Sequence, residues 1–387
     1  MAEKMFKEKE ALDILCQLIR IRTLLPRGDE LDLIKYIITL FDGADIEKNI
    51  INHQGNRASL ILKLPGKNSN RSIGFVGHLD TFPILGEEKW EHAPFSADYE
   101  GGKVYGRGSA NMKGGITAML LAFLYFIKNG ITPPCDISLC LTAGGDDAGL
   151  MGARSLTASG ALNCFTEMIF GEPTDNKIGI AQRGGIWLSI SVTGRASYAC
   201  IPGVGIDSVA TFIDLHKKIS SFINKEKYFH PHIGTPLCTI TQICGGVAIN
   251  SIAPSCEGTI DIRLLPLQDN EEVIQYAMTS AEDIEKRYES LRISVVVEHS
   301  NITVAMPPDA RIVKDFEKIL ERRGESTKKT GLFYYTDACA MIPTLGIPFI
   351  FFGPGKDVYN IPQDESIDLD SVIKAAEVYV EYLMHCV

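Results

Sequence analysis

The feature that most constrains this chain is the regular alternation, over its first 180 or so residues, of amphipathic helical stretches with short apolar runs. Glu10 to Ile21 carries apolar residues at helical spacing, and Gly115 to Lys128 is a longer apolar helix. Ala58 to Leu64, Ser72 to Gly77 and Ile137 to Thr142 are short apolar runs of the kind that form buried strands. Such alternation predicts an α/β sheet covered by helices, and chemistry in these sheets gathers just past the carboxyl ends of strands. His78 and Asp80 follow one predicted strand, Asp146 and Asp147 another, and Glu172 follows Met168 to Phe170.

From about Gly184 the order changes to strand (Ile186 to Val192), helix (Ser208 to Ile223), strand (Thr235 to Ile243), strand (Glu257 to Leu264), helix (Asn270 to Tyr288) and strand (Ile293 to Glu298). This βαββαβ order predicts a ferredoxin-like α+β module. The earlier rhythm resumes after Pro307 with a helix at Ala310 to Arg323, a strand at Pro348 to Phe352 and a helix at Leu369 to His385. The expected organisation is therefore one α/β domain built from residues 1–183 and 301–387, with residues 184–300 inserted into it.

The formal charge of −10 argues against nucleic acid or an anionic membrane as partner. The ten cysteines are scattered singly, as reduced thiols of a cytoplasmic protein are. No signal core precedes the first helix, and no run of 18 apolar residues predicts a membrane span. A small-molecule ligand is the expectation.

Six motifs occur in fixed order: Gly77-His78-Leu79-Asp80, Tyr105 to Gly114 (Tyr-Gly-Arg-Gly-Ser-Ala-Asn-Met-Lys-Gly), Asp146-Asp147-Ala148-Gly149, Gly152-Ala153, Gly171-Glu172-Pro173-Thr174 and Phe352-Gly353-Pro354-Gly355. Together they resemble the M20 metallopeptidase family, of the acetylornithine deacetylase and succinyl-diaminopimelate desuccinylase type, over nearly the whole chain. The resemblance implies a zinc-exopeptidase-like α/β/α catalytic domain with an inserted lid that also forms a homodimer interface. It further implies two zinc ions sharing one Asp, with a carboxylate beside them as base for a bridging water.

Carried over position by position, the first ligand falls on His78, with Asp80 as the partner that fixes its tautomer. The shared Asp falls on Asn111, the base on Asp146, and the remaining carboxylate ligands on Asp147 and Glu172. The C-terminal His falls on Asn360, and the lid His that stabilises the oxyanion falls on Tyr198. Substrate-gripping positions match at Asn250, Arg263, Thr336 and the turn at Pro354. An amide bridges two dications poorly, and two Asn and one Tyr replace strong ligands or donors. These departures imply no metal or one weakly bound zinc.

Three readings follow. The first is a repurposed enzyme acting on a carboxylate-bearing N-acyl amino acid or peptide through Asp146, Asp147 or Tyr198. The second is an ordinary di-zinc deacylase, and the third a non-catalytic ligand-binding or partner protein. Cys339, beside Thr336-Asp337-Ala338, is expected to be a buried thiol, and His230-Pro231-His232 a solvated turn.

Overall fold

A computed structural model describes residues 5–84, 86–147, 149–356 and 364–385. The chain divides into two compact units, one of residues 1–180, 306–331 and 336–387, the other of residues 181–305 and 332–335.

In the first unit a mixed sheet runs in the spatial order Glu47–Asn52, Ala58–Leu64, Cys135–Thr142, Asn68–His78, Glu167–Phe170, Phe349–Phe351 and Ile178–Gln182. Its centre is parallel: strand 68–78 pairs in parallel with both 135–142 and 167–170, and 167–170 with 349–351. Strand 58–64 runs antiparallel to 135–142. Parallel strands buried on both faces need continuous apolar runs, and strand Cys135–Thr142 is buried along its whole length.

Helices Glu8–Arg20, Gly114–Lys128, Arg311–Arg322 and Leu369–Met384 pack against one another over this sheet. Helix 311–322 buries Ile312, Val313, Phe316, Ile319 and Leu320, the three- and four-residue spacing of a single apolar stripe. Helix 114–128 is apolar nearly all round and almost wholly buried, so it is the core helix. Among the described residues, Ser109–Lys128 is the one helical stretch long and apolar enough to cross a membrane, and 83% of its most apolar 18-residue window is buried within the protein, as in a core helix. A Cβ at Gly115 would lie 2.1 Å from the Gly171 carbonyl oxygen. Glycine there lets the helix start touch the strand that leads to Glu172.

The second unit is a four-stranded antiparallel sheet in the order Leu237–Gly245, Ser255–Arg263, Gly185–Thr193, Arg292–Asn301. Ile186, Leu188, Ile190 and Val192 alternate into a core shared with helices Ser208–Ile223 and Asn270–Glu285. Both helices start on an aspartate: Asp207 accepts from the backbone of Val209 and Ala210, and Asp269 from that of Glu271. This is the ferredoxin-like arrangement expected from the βαββαβ order.

Candidate active site

Strand 68–78 carries His78 out at its carboxyl end, and Asp80 follows in full burial. Both Asp80 carboxylate oxygens accept backbone N–H bonds, from Gly145 at 2.8 Å and Asp146 at 2.9 Å. The loop after strand 135–142 is thus tied directly to the loop after strand 68–78. His78 Nδ1 lies 3.0 Å from the Asp80 carbonyl oxygen. A carbonyl only accepts, so Nδ1 carries a proton.

The opposite ring nitrogen, Nε2, lies 3.2 Å from Asn111 Oδ1 and 3.8 Å from Asp146 Oδ1. Asn111 Nδ2 donates to Asp146 Oδ1 at 3.1 Å. With the amide so assigned, the side chain links imidazole to carboxylate, and Nε2 faces an acceptor and carries a second proton. Burial alone would lower the His78 pKa, but the carboxylates of Asp146, Asp80, Glu172 and Asp337 outweigh it and raise it to about 10. Burial pushes Asp146 up to about 7, against the opposing pull of His78. Its second oxygen, Oδ2, is buried with no hydrogen-bond partner among the described residues. Asp146, Asn111, Arg107, Phe82 and Glu365 line a cavity of about 270 Å³.

Glu172, Thr336 and Pro354, also singled out in the sequence, belong to this unit. Glu172 is buried just past strand 167–170, close enough for its charge to act on His78. Thr142 donates to the buried Asp337, whose other oxygen has no hydrogen-bond partner among the described residues. Burial raises the Asp337 pKa to about 6. Thr336 Oγ1 accepts from the Ala338 backbone at 3.2 Å at the start of helix Ala338–Leu345, and Pro354 is buried in its turn.

Asp147 stands apart from the His78 group, unlike the ligand position expected of it. Its Oδ1 accepts from the Gly149 backbone at 3.2 Å, and its Oδ2 lies 3.7 Å from Arg57 Nη1. Its side chain is 44% exposed. Asn360 lies outside the described residues.

Tyr198, Asn250 and Arg263 belong to the second unit. Tyr198 is exposed and bridges to Ser251, while the Asn250 carbonyl accepts from the Ala199 backbone. Arg263 is gripped by Asp261 two residues earlier on its own strand, Nε to Oδ1 at 2.7 Å and Nη2 to Oδ2 at 2.8 Å. Trp187 Nε1 donates to the same Asp261 at 3.1 Å, and the Arg263 guanidinium lies over the Tyr335 ring. The fork expected to hold a ligand carboxylate therefore has one edge already filled. Cys339 is buried, and burial pushes its thiol up to about 12, which leaves no thiolate for nucleophilic work.

Two features escaped the sequence reading. Glu365 accepts four N–H bonds from the Asn111 loop: Arg107 Nη1 at 2.9 Å and the backbone of Gly108, Ala110 and Asn111 at 2.8, 2.9 and 3.0 Å. The other is the buried pair of Glu30 with Arg57, behind Asp147. An acidic residue 254 positions beyond its partner leaves no local pattern to find it by.

The donor set can be tested against a metal centre. His78 Nε2 and Asn111 Oδ1, 3.2 Å apart, are close to the ~3.4 Å edge of a tetrahedral site with ~2.1 Å bonds. They fit as two donors of one divalent ion, and Glu172 is near enough for its charge to act on His78. His78, Asp80 and Asp146 also offer donor atoms within 4.8 Å of one another, although both Asp80 oxygens are taken by backbone N–H groups. Among the described residues, the position between two ions would hold the amide of Asn111, which donates to Asp146, and Asp147 faces Arg57.

Residues 74–385 match the family described as Peptidase family M20/M25/M40. A protein named probable succinyl-diaminopimelate desuccinylase from Staphylococcus aureus strain MSSA476 is 24% identical over 404 residues, covering 97% of each chain. Among solved structures, an M20 family metallo-carboxypeptidase from Sulfolobus solfataricus superposes with a TM-score of 0.78 at 15% identity, over 97% of this chain and 98% of that one. A dinuclear metal-binding M20 peptidase from Bacillus subtilis gives 0.69 at 15% identity, over 97% of each. At these identities the two structures speak for the fold, and the motif order and the family match speak for descent: the chain belongs to peptidase family M20/M25/M40.

Proposed function

We propose that this protein hydrolyses the amide bond of an N-acyl amino acid or short peptide that carries a free carboxylate, with Asp146 as general base and at most one divalent ion. The observation that carries this reading is Asp146 itself. The residue lines the cavity, its buried Oδ2 has no hydrogen-bond partner among the described residues, Asn111 holds Oδ1, and burial raises its pKa to about 7. A base poised near neutral pH is matched to taking a proton from water.

In this mechanism Asp80 fixes the loop that presents Asp146, and Asn111 sets the carboxylate's orientation through its Nδ2–H bond. The Asp146 carboxylate, on turning Oδ2 toward the cavity, removes a proton from the attacking water and later passes it to the departing amine nitrogen. His78 supplies a positive charge beside the cavity when no ion is present. An ion held by His78, Asn111 and Glu172 would instead polarise the acyl carbonyl. The substrate class is supported by the relatives' name, desuccinylase, and by Arg263, whose partly exposed planar fork suits a carboxylate. Cytoplasmic placement and homodimerisation through the 184–300 segment belong to the same proposal, and light scattering tests the second.

An ordinary two-zinc deacylase is favoured by the full-length match to the desuccinylase relative. One experiment separates the two readings. Amine release from N-succinyl and N-acetyl amino acids is followed with and without chelator, for the wild type and Asp146→Asn, beside zinc analysis of the purified chain. The proposal expects turnover that Asp146→Asn lowers at least ~100-fold and no more than one zinc per chain. Two tightly bound zinc ions, or full activity in Asp146→Asn, would overturn it.

A further inference from the structure

Asp147 neighbours Asp146 in sequence and yet takes no part in the His78 group, and the structure gives the cause. Strand 58–64 runs antiparallel to 135–142 with Leu60 opposite Leu141. That register places Arg57, just before the strand, beside the loop that follows Thr142. The loop makes room for it with Gly144, which has a φ of +74° and whose Cβ, if present, would lie 3.2 Å from Arg57 Nη2. Arg57 cannot swing away. Glu30, the first residue of helix Glu30–Thr39 and fully buried, receives Arg57 Nη2 at 2.6 Å and Nε at 3.1 Å. Only 10% of the Arg57 side chain is exposed. Its remaining nitrogen, Nη1, faces Asp147 Oδ2 at 3.7 Å, while the Gly149 backbone holds Oδ1.

We propose that Arg57, anchored by Glu30, is the positioning residue that keeps Asp147 out of the metal centre and so limits the site to one divalent cation. The proposal rests on the single-ion reading given above. A guanidinium is permanently charged and pinned by a buried carboxylate, so it competes for Asp147 at every pH at which the protein is folded. A second dication would have to displace it or bind beside it. The wild-type loop therefore presents one carboxylate, Asp146, toward the cavity and one, Asp147, toward a cation already built into the chain.

The test is zinc binding, read by equilibrium dialysis of chelator-stripped full-length protein against zinc chloride alone, with circular dichroism to confirm the fold. Wild type, Asp147→Asn and Arg57→Lys are expected to bind one zinc with affinities within about threefold of one another, since Asp147 is not a ligand and a lysine keeps the cation in place. The double variant Glu30→Gln/Arg57→Met removes the buried pair together, so neither charge is left unpaired. It is expected to gain a second zinc that is lost again when Asp147→Asn is added. Arg57→Gln replaces the double variant if the latter unfolds. The proposal is overturned if Asp147→Asn weakens wild-type binding by more than about threefold, or if the folded pair variant binds zinc as the wild type does. A wild type that binds no zinc sinks the single-ion reading. The Arg57 assignment then falls too, unless the pair variant takes up zinc that Asp147→Asn removes.

Discussion

Replacing Glu365 by Gln tests whether the Asn111 loop is held from the far end of the chain. The carboxylate is buried, and each oxygen serves two donors: Oε1 those of Ala110 and Asn111, Oε2 those of Gly108 and Arg107. A glutamine has one acceptor oxygen, so in either orientation its NH2 group faces two N–H donors. Two buried donors lose their acceptor at about 1–3 kcal/mol each, and Arg107 loses the charge of Glu365. The expected destabilisation is about 3–5 kcal/mol. For a unit of this size each kcal/mol lowers Tm by roughly 2–4 °C, so the melt should fall by on the order of 10 °C. Thermal melts followed by near-ultraviolet circular dichroism in chelator measure this without involving any ion. A Tm within about 2 °C of wild type would show that the loop does not depend on Glu365.

Asn111→Asp removes the donor to Asp146 and sets two carboxylates against each other, so without metal the variant should melt below the wild type. Competition with a chromophoric chelator should show zinc affinity raised at least the ~10-fold that changing an outer partner produces, and unchanged affinity would refute the account of Asn111. Asp337 has a folded pKa raised from 3.8 to about 6 by burial, so the unfolded chain releases its proton first as pH rises. Wild-type stability should therefore fall by up to ~3 kcal/mol between about pH 4 and pH 6, relative to Asp337→Asn, in urea melts with chelator; parallel curves would contradict it. Asp261→Asn frees the Arg263 fork, and if Asp261 orients it for a ligand carboxylate, KM should rise ~10-fold, about 1.4 kcal/mol, with kcat within twofold. An unchanged or lowered KM would mean that Asp261 has no orienting role or competes with the ligand.

Much of this architecture was legible in the chain. Apolar runs marked strands 58–64, 135–142 and 185–193 because burial on one or both faces demands them, and His78, Asp80 and Asp146 were legible because strand ends are where side chains converge. Helix 114–128 was legible as a long apolar helix, and its burial among the other helices explains that apolarity. What could not be read was direction. Asp146 and Asp147 are adjacent and chemically identical, and only a strand register and an arginine 90 positions earlier send them to different neighbours. Arg263 likewise fits a ligand-gripping motif, yet whether its fork is open depends on a side chain two residues away on the same face of a strand.

The bonds Asp80 makes to the backbone of Gly145 and Asp146 have one more implication. A loop shaped by the ion it holds loses its form when the ion goes, and selection must then preserve every ligand or none. Here the loop's shape is written into main-chain hydrogen bonds, whose donors are the same whatever side chain the position carries. Position 146 can thereby change its side chain and keep the main-chain bond that shapes the loop, so its chemistry can vary while the framework stays in place.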